Sequence, residues 1–292
     1  MSNPKKAYLF GLLTVFIWST VASAFKLTLV YISPLELLFY SCLTSTCVLF
    51  ASAYLNTKGF IFILKKEIFK SAWLGFINPF CYYLVLFKAY DLLPAQEAQP
   101  LNYTWGITLS LLSIPLLKQK ISFHQLGAIL LSYFGVLIIS THGHIFSLHF
   151  TNPLGVGLAL FSTILWALYW IFNTKDTLNP SLRLFYNFLF GSIYISIYFL
   201  LTKTSPTFNL KGFLGAFYVG LFEMGITFIL WLKALKYAQN TAQVSNLIYL
   251  SPFLSLIFIH FLVGEKILFS TYIGLIFILA GLIYQNQATQ KL

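Results

Sequence analysis

Apolar runs of about twenty residues follow one another along the whole chain, with only short polar stretches between them. A helix of that length crosses the hydrocarbon core of a bilayer, which takes about 20 residues. Of the 292 residues, 59% are hydrophobic and only 9% are charged. Soluble domains carry about 25% charged residues, so this composition excludes a soluble fold. The sequence predicts an integral membrane protein.

We predict ten membrane-spanning segments, all helical because none shows the alternating polarity of a membrane β-strand. They are placed at 7–26, 34–56, 68–90, 95–117, 121–141, 153–174, 181–202, 210–234, 240–263 and 267–286. The first segment resembles a signal peptide, because Lys5 and Lys6 precede it and small residues end it. Its length favours a retained span. Cys42, Cys47 and Cys81 lie inside apolar runs, where small buried hydrophobic side chains are expected.

Basic residues outnumber acidic ones, 18 to 7, but they lie singly or in pairs between apolar runs. A nucleic-acid partner would require them clustered on one face, so none is expected. With ten spans, 13 of the 18 basic residues fall on the side of both termini. Basic loops resist translocation, so both termini are predicted to be cytoplasmic in a multi-pass protein of the cell (inner) membrane.

The two halves of the chain resemble each other at a shift of about 146 residues. Residues 74–78 (Leu-Gly-Phe-Ile-Asn) match 219–223 (Val-Gly-Leu-Phe-Glu), and Trp18 matches Trp166. We predict two five-helix repeats, 1–146 and 147–292. Because five is odd, the second repeat enters the membrane from the opposite side. Inverted repeats are common in transporters, in which two related packings open a central site to either side in turn.

These features together resemble the EamA group of the drug/metabolite transporter superfamily. The resemblance rests on the ten spans, the duplication, Trp18, the stretch from Ala234 to Pro252, and the turn at Gly264-Glu265-Lys266. Residues 102–106 (Asn-Tyr-Thr-Trp-Gly) look like the Asn-Tyr-Leu-Trp-Pro element of YddG-type aromatic amino-acid exporters, from which Thr104 and Gly106 depart. The resemblance implies a basket-like bundle around a central aqueous cavity, and secondary transport without ATP.

Glu223 is the first candidate for a functional residue. It is placed near the middle of a span, where a carboxyl group is costly and normally faces a cavity or a partner. We expect it to bind substrate and to couple transport to protons. The alternative is a structural hydrogen bond to a neighbouring helix, with Asn78, at the matching depth of the first repeat, as the partner.

A second group combines amide and aromatic side chains. Asn102, Tyr103 and Trp105 in one repeat correspond to Asn246 and Tyr249 in the other. Amides can hold an amino-acid backbone, and rings can stack on a side chain or sit over an ammonium group. Because the chain is rich in aromatic residues, packing is the alternative for each ring. The full set of predicted substrate-binding residues is Trp18, Asn78, Tyr82, Asn102, Tyr103, Trp105, Trp166, Tyr169, Glu223, Thr227, Trp231, Asn246 and Tyr249.

Other polar residues receive simpler interpretations. Glu36 and Glu97 lie close to span ends, where interfacial solvation is expected. His142, His144 and His149 are expected in a solvated external loop rather than at a metal. No metal or cofactor is predicted.

Secondary transport of a small amphipathic metabolite is the predicted function, with amino acids, aromatic ones included, as the expected substrates. One alternative is a carrier for a nucleoside-like cofactor such as S-adenosylmethionine, and another is a passive channel or scaffold. An intramembrane enzyme is disfavoured, because the chain has neither a His-Glu-x-x-His motif nor a Gly-x-Ser-x-Gly motif. The expected partners are the substrate and the bilayer, with a monomer predicted and a dimer as the alternative.

Overall fold

The computed structural model describes residues 3–59, 62–118, 123–146, 150–173, 176–237 and 246–290, and regular secondary structure in these ranges is helical. The first helices are α1 (Pro4–Leu29), α2 (Pro34–Asn56), α3 (Lys65–Gly75, Phe76–Cys81 and Tyr82–Leu92), α4 (Ala95–Tyr103), α5 (Trp105–Leu117) and α6 (Phe123–Ser140). They are followed by α7 (Pro153–Asn173), α8 (Pro180–Thr202), α9 (Leu210–Tyr218, Val219–Ile226 and Thr227–Tyr237), α10 (Asn246–Leu250, Ser251–Phe258 and Ile259–Val263) and α11 (Phe269–Gln290).

Six helical stretches in the described ranges are long and apolar enough to cross a membrane: Pro4–Leu29, Pro34–Asn56, Lys65–Leu92, Pro153–Asn173, Pro180–Thr202 and Leu210–Trp231. Large apolar side chains remain exposed along the bundle, for example Leu9, Phe16, Leu200 and Ile257. Such a surface is stable in lipid rather than in water. The chain is therefore a multi-pass membrane protein, as predicted.

Two predicted spans differ in detail. The segment predicted at 95–117 is two helices, α4 and α5, that meet at Thr104. At this junction the amide of Thr104 donates to the carbonyl of Leu101, three residues back, so the chain makes a tighter turn between the two helices. The first part of the segment predicted at 240–263 lies outside the described residues, and α10 is described from Asn246.

Polar residues in the connections set where several helices begin. Pro occupies the first turn of α1, α2 and α8, where its missing N–H costs nothing. At α2, Ser33 and Glu36 form a reciprocal capping box. Glu36 is buried rather than solvated as predicted, because its other oxygen, Oε1, accepts hydrogen bonds from the amide and hydroxyl of Thr207.

Glycine lets α6 and α11 pack at close range. A Cβ added to Gly135 would lie 2.4 Å from the carbonyl oxygen of Gly274, whereas one added to Gly127, in the same helix, would meet nothing within 4 Å. Small residues at a helix interface are the usual means by which membrane helices approach closely. The α6–α11 contact therefore depends on Gly135 lacking a side chain.

Replacing Gly135 by Ala is expected to lower the free energy of unfolding by about 1–3 kcal/mol, the usual cost of overpacking. Gly127→Ala is the matched control and should be neutral or stabilising by about 0.5–1 kcal/mol, since Ala favours a helix. Thermal unfolding of both variants in detergent measures the difference. Equal melting temperatures would show that the two helices are not closely packed at Gly135.

Candidate functional site

A buried cavity of about 70 Å³ lies in the middle of the bundle. Helices α1, α3, α4, α5, α7, α9 and α10 all contribute to its wall. The residues that line it are Trp18, Val21, Phe25, Tyr82, Leu86, Tyr90, Gln99, Asn102, Tyr103, Trp105, Trp166, Glu223 and Ile248. We call this space the central cavity.

Irregular backbone lies beside the central cavity in α3 and α9. In α3, Asn78 leaves helical geometry (φ −144°, ψ 120°) just before Pro79. In α9, Glu223 lies in a wider, π-helical stretch, Val219–Ile226. Non-helical backbone at membrane depth is tolerated where it is buried in protein or lines a cavity, and π-helical turns are frequent at functional sites.

The Glu223 carboxyl group is buried and only partly satisfied. Its Oε1 accepts a hydrogen bond from the hydroxyl of Tyr83 at 3.1 Å, and the indole of Trp18 lies beside it. Oε2 is buried and accepts no hydrogen bond of ordinary geometry from the residues that the structure describes. A buried polar atom without a partner carries a desolvation cost of about 1–3 kcal/mol, and more when it is charged. Its Oε2 can therefore accept a hydrogen bond from a donor outside the protein.

Hydrogen bonds fix the amide and hydroxyl groups of α4. The Asn102 amide donates to the hydroxyl of Ser162 at 2.9 Å, and its Oδ1 accepts from Tyr82 at 3.4 Å. The Tyr103 hydroxyl donates to Ser251 at 2.8 Å. These bonds join α4 to α3, α7 and α10, so that part of the cavity wall is held in place.

Aromatic rings form much of the remaining wall. Trp166 lies at the centre of this group, with ring centroids 4.6 Å from Tyr82, 6.4 Å from Trp105 and 6.1 Å from Phe228. Trp18 packs 6.4 Å from the same Phe228 ring. Trp166 and Phe228 separate the central cavity from a second one.

The second cavity, about 180 Å³, opens towards the end of the bundle that holds Arg183. We call this end the Arg183 end; it is the side predicted to be cytoplasmic. The cavity is lined by Tyr169, Trp170, Asn173, Asp176, Leu178, Pro180, Arg183, Leu184, Phe228 and Trp231.

At the opposite end, which we call the Lys26 end, side chains of α1 and α3 pack together beside the central cavity. Phe25 packs against Tyr90 with ring centroids 5.1 Å apart. The ammonium group of Lys26 donates to the carbonyl oxygens of Tyr90 and Leu93, both at 2.8 Å. Glu265 accepts from the first amide of α4, that of Ala95, at 2.7 Å. A cation at the C-terminus of α3 and an anion at the N-terminus of α4 both match the helix dipoles.

Glu97 and His142 form a pair near the same end. Nε2 of His142 lies 2.5 Å from Oε1 of Glu97, which is 1% exposed. Glu97 is therefore not solvated as predicted, because α4 turns its first residues inward. His144 is described without a metal-binding group around it, and His149 lies outside the described residues. Within the described ranges, no three His, Cys, Asp or Glu side chains meet as metal ligands do.

A buried ionic cluster ties the connections together at the Arg183 end. Nε of Arg183 lies 2.5 Å from Oδ2 of Asp176, and the guanidinium also binds the carboxylate of Glu67 and the hydroxyl of Ser71. Lys70 lies 3.3 Å from Asp176. Burial raises the pKa of Asp176, but the hydrogen bonds from Arg183 and from the Leu178 amide outweigh it and hold the pKa below the usual 3.8.

This lowered pKa predicts an acid-sensitive contribution to stability. A carboxylate with a lowered pKa in the folded state stabilises the fold above its ordinary value of 3.8. That stabilisation is lost as the pH falls through the lower, folded-state value. Between pH 5 and pH 3, the melting temperature of wild type should therefore fall further than that of Asp176→Asn, because the variant has no titrating group at this position. Parallel losses would argue that Asp176 is not held ionised by Arg183.

The structure brings seven of the thirteen predicted site residues together around the central cavity: Trp18, Tyr82, Asn102, Tyr103, Trp105, Trp166 and Glu223. Two others, Tyr169 and Trp231, line the second cavity. Asn78 is fully buried beside Tyr169, and its amide makes no ordinary hydrogen bond to the described residues, so Glu223 bonds to Tyr83 instead.

The remaining predictions fall elsewhere. Thr227 is buried, and its hydroxyl donates back to the carbonyl of Phe222 in its own helix. Tyr249 packs against the core without lining the central cavity, unlike its counterpart Tyr103. The side chain of Asn246 lies outside the described part of the structure. Sequence reasoning missed Gln99 and Tyr83. Gln99 was detectable, because it precedes Asn102 and Tyr103 by three and four positions and so shares their helix face.

The helical architecture, with an acidic residue on the wall of a central cavity, fits a multi-pass membrane protein of the transporter class. The model of the EamA-like transporter family matches residues 5–141 and 153–286, and the chain belongs to this family.

Individual relatives agree with that assignment. An uncharacterized transporter of Archaeoglobus fulgidus is 26% identical over 289 residues, which cover 98% of both chains. An uncharacterized transporter of Clostridium kluyveri is 26% identical over 183 residues, covering 60% of this chain and 58% of its own. A solved crystal structure is similar over 99% of both chains, with a TM-score of 0.69 and 17% identity, which shows the fold.

Proposed function

We propose that this protein is a secondary transporter that moves a small amphipathic metabolite across the cell (inner) membrane by alternating access. The observation that carries the proposal is the Glu223 carboxyl group, which is only partly satisfied by hydrogen bonds and lines a small cavity within a membrane bundle. A charge at that depth is retained in membrane proteins where it serves a substrate or ion pathway.

We further propose that the ten spans form two inverted repeats, with both termini cytoplasmic and one chain as the working unit. Three hydrogen bonds support the two-fold relation, because each joins residues 146 apart. Cys42 contacts the carbonyl of Phe188, Thr46 contacts Ser192, and Ser132 donates to the carbonyl of Ile278. Equivalent residues of two repeats can touch only where they meet at the two-fold axis. The axis would thus pass between α2 and α8 and between α6 and α11.

The small size of the central cavity supports alternating access. Its 70 Å³ is well below the roughly 300–1,000 Å³ of sites that hold small molecules. A metabolite therefore enters only if the surrounding helices move apart. In this proposal, the contact between Phe25 and Tyr90 is the barrier towards the Lys26 end, and the contact between Trp166 and Phe228 is the barrier towards the Arg183 end. Opening one barrier at a time would expose the cavity to each side in turn.

For the substrate, we propose a compound with an amino group, as the expected amino acids have. Its ammonium group would bind the Glu223 carboxylate, and its apolar part would pack on the rings of Trp18, Tyr82 and Trp166. Exchange of this ammonium group for a proton on the same carboxyl group would couple transport to protons.

Counterflow in proteoliposomes tests the proposal. Vesicles loaded with unlabelled compound take up labelled compound transiently above equilibrium only when a carrier exchanges the two, not through a channel. A panel of amino acids, their amines and S-adenosylmethionine should give such an overshoot for at least one member. Equilibration without overshoot would identify a channel. If every compound enters the proteoliposomes no faster than it enters protein-free vesicles, the transport proposal is wrong.

A further inference from the structure

Two buried atoms on the wall of the central cavity lack a hydrogen-bond partner among the described residues: Oε2 of Glu223 and Oε1 of Gln99. Both are acceptors. The donors of the wall are largely engaged within the protein, since Asn102 donates to Ser162 and Tyr103 donates to Ser251. A ligand that donates hydrogen bonds would therefore complement the cavity wall better than one that only accepts them.

The charge of the wall points the same way. Glu223 is the one carboxylate among the described residues that line the central cavity, and that lining contains no Lys, Arg or His. The nearby amine of Lys26 is held by the carbonyl oxygens of Tyr90 and Leu93. Tyr82, Trp105 and Trp166 add ring faces, which attract cations. A cationic nitrogen on the ligand would be attracted to the Glu223 carboxylate and to these rings, and its N–H groups could donate to the unpartnered acceptors.

A carboxylate on the ligand would find no such complement. It would be buried beside Glu223 without a cation opposite it, and burying an unpaired charge is costly. From this we infer that the central cavity selects small organic monocations, namely primary amines without a carboxylate, over the corresponding amino acids. The inference rests on the proposed transport function and narrows its substrate class.

The test compares ligands that differ only in the carboxylate. Butylamine, phenethylamine and tryptamine are titrated against the purified full-length protein in nanodiscs at pH 7.5, beside norvaline, phenylalanine and tryptophan. Binding is measured by calorimetry and by the rise in melting temperature that a ligand of the folded state causes. We expect at least one amine to bind about tenfold or more tightly than its amino acid, because the amino acid leaves its carboxylate unpaired.

Two variants locate the binding. Glu223→Gln should weaken the amine about tenfold or more, because it removes the charge opposite the ammonium group. Asp91→Asn is the matched control, since Asp91 pairs with Lys88 and is not among the residues that line the central cavity. It should bind amines as wild type does.

Three results would overturn the inference: an amino acid that binds as tightly as its amine, amine binding that survives Glu223→Gln, or no binding by any of the three amines. Amine binding that depends on Glu223 but is not followed by uptake into proteoliposomes would have a different meaning. It would uphold the ligand class and refute the transport function.

Discussion

Replacing Arg183 by Met is expected to lower the free energy of unfolding by about 3–5 kcal/mol, the usual cost of removing one partner from a buried ionic pair. The Arg183 side chain is 3% exposed and that of Asp176 is 8% exposed. Without the guanidinium, the carboxylates of Asp176 and Glu67 would lose the cation that binds both of them. Thermal and denaturant unfolding in detergent should both report the loss.

Lys70→Met is the matched control for this prediction. Lys70 reaches the same Asp176 carboxylate at 3.3 Å, but its side chain is 32% exposed. An exposed partner contributes about 0–1 kcal/mol, so this variant should remain close to wild type. Equal losses from Arg183→Met and Lys70→Met would mean that the cluster is solvated and does not hold the connections of the Arg183 end together.

Replacing Glu223 by Gln is expected to reduce uptake of the transported amine by about 30-fold or more, while the fold remains intact. Truncating one side of a buried charge pair costs about 2–5 kcal/mol, and each 1.4 kcal/mol is tenfold in affinity. Gln keeps the size of the side chain and can still accept from Tyr83, so packing should not change. Uptake of labelled phenethylamine between pH 5.5 and pH 8.5 should also lose its dependence on pH in this variant.

Two comparisons make that prediction specific. Asp91→Asn should transport as wild type does, since its ion pair with Lys88 is exposed. Tyr83→Phe removes the hydrogen bond from the Tyr83 hydroxyl to Glu223 and should change the pH profile while keeping uptake. If Glu223→Gln takes up the amine as fast as wild type does at every pH, the carboxyl group has a structural role only.

The membrane helices were predictable because a helix in contact with lipid requires a long apolar run. Such runs are evident in the sequence. Trp18 and Trp166, which the sequence matches between the two proposed repeats, both line the central cavity. The division of the span 95–117 at Thr104 was missed, although the residues of Ala95–Tyr103 are far more polar than those of Trp105–Leu117.

Contacts between distant helices account for most of what the sequence did not reveal. The pairing of Glu97 with His142 joins residues that are 45 positions apart in the sequence. No local sequence pattern around either residue predicts that the two side chains meet. Tyr249 matches Tyr103 in sequence, yet Tyr103 lines the central cavity whereas Tyr249 packs against the core. Thr227 shows a related limit, since a hydroxyl in a membrane helix can bond to its own backbone as well as to a substrate.

The most direct test of the account is whether substrate moves protons through Glu223. A pH-sensitive dye is enclosed in proteoliposomes of wild type, Glu223→Gln and Asp91→Asn, and phenethylamine is added outside without an imposed gradient. We predict a change of internal pH, beyond that of protein-free vesicles, with wild type and Asp91→Asn but not with Glu223→Gln. Amine uptake by wild type without such a change, or an undiminished change with Glu223→Gln, would contradict the account.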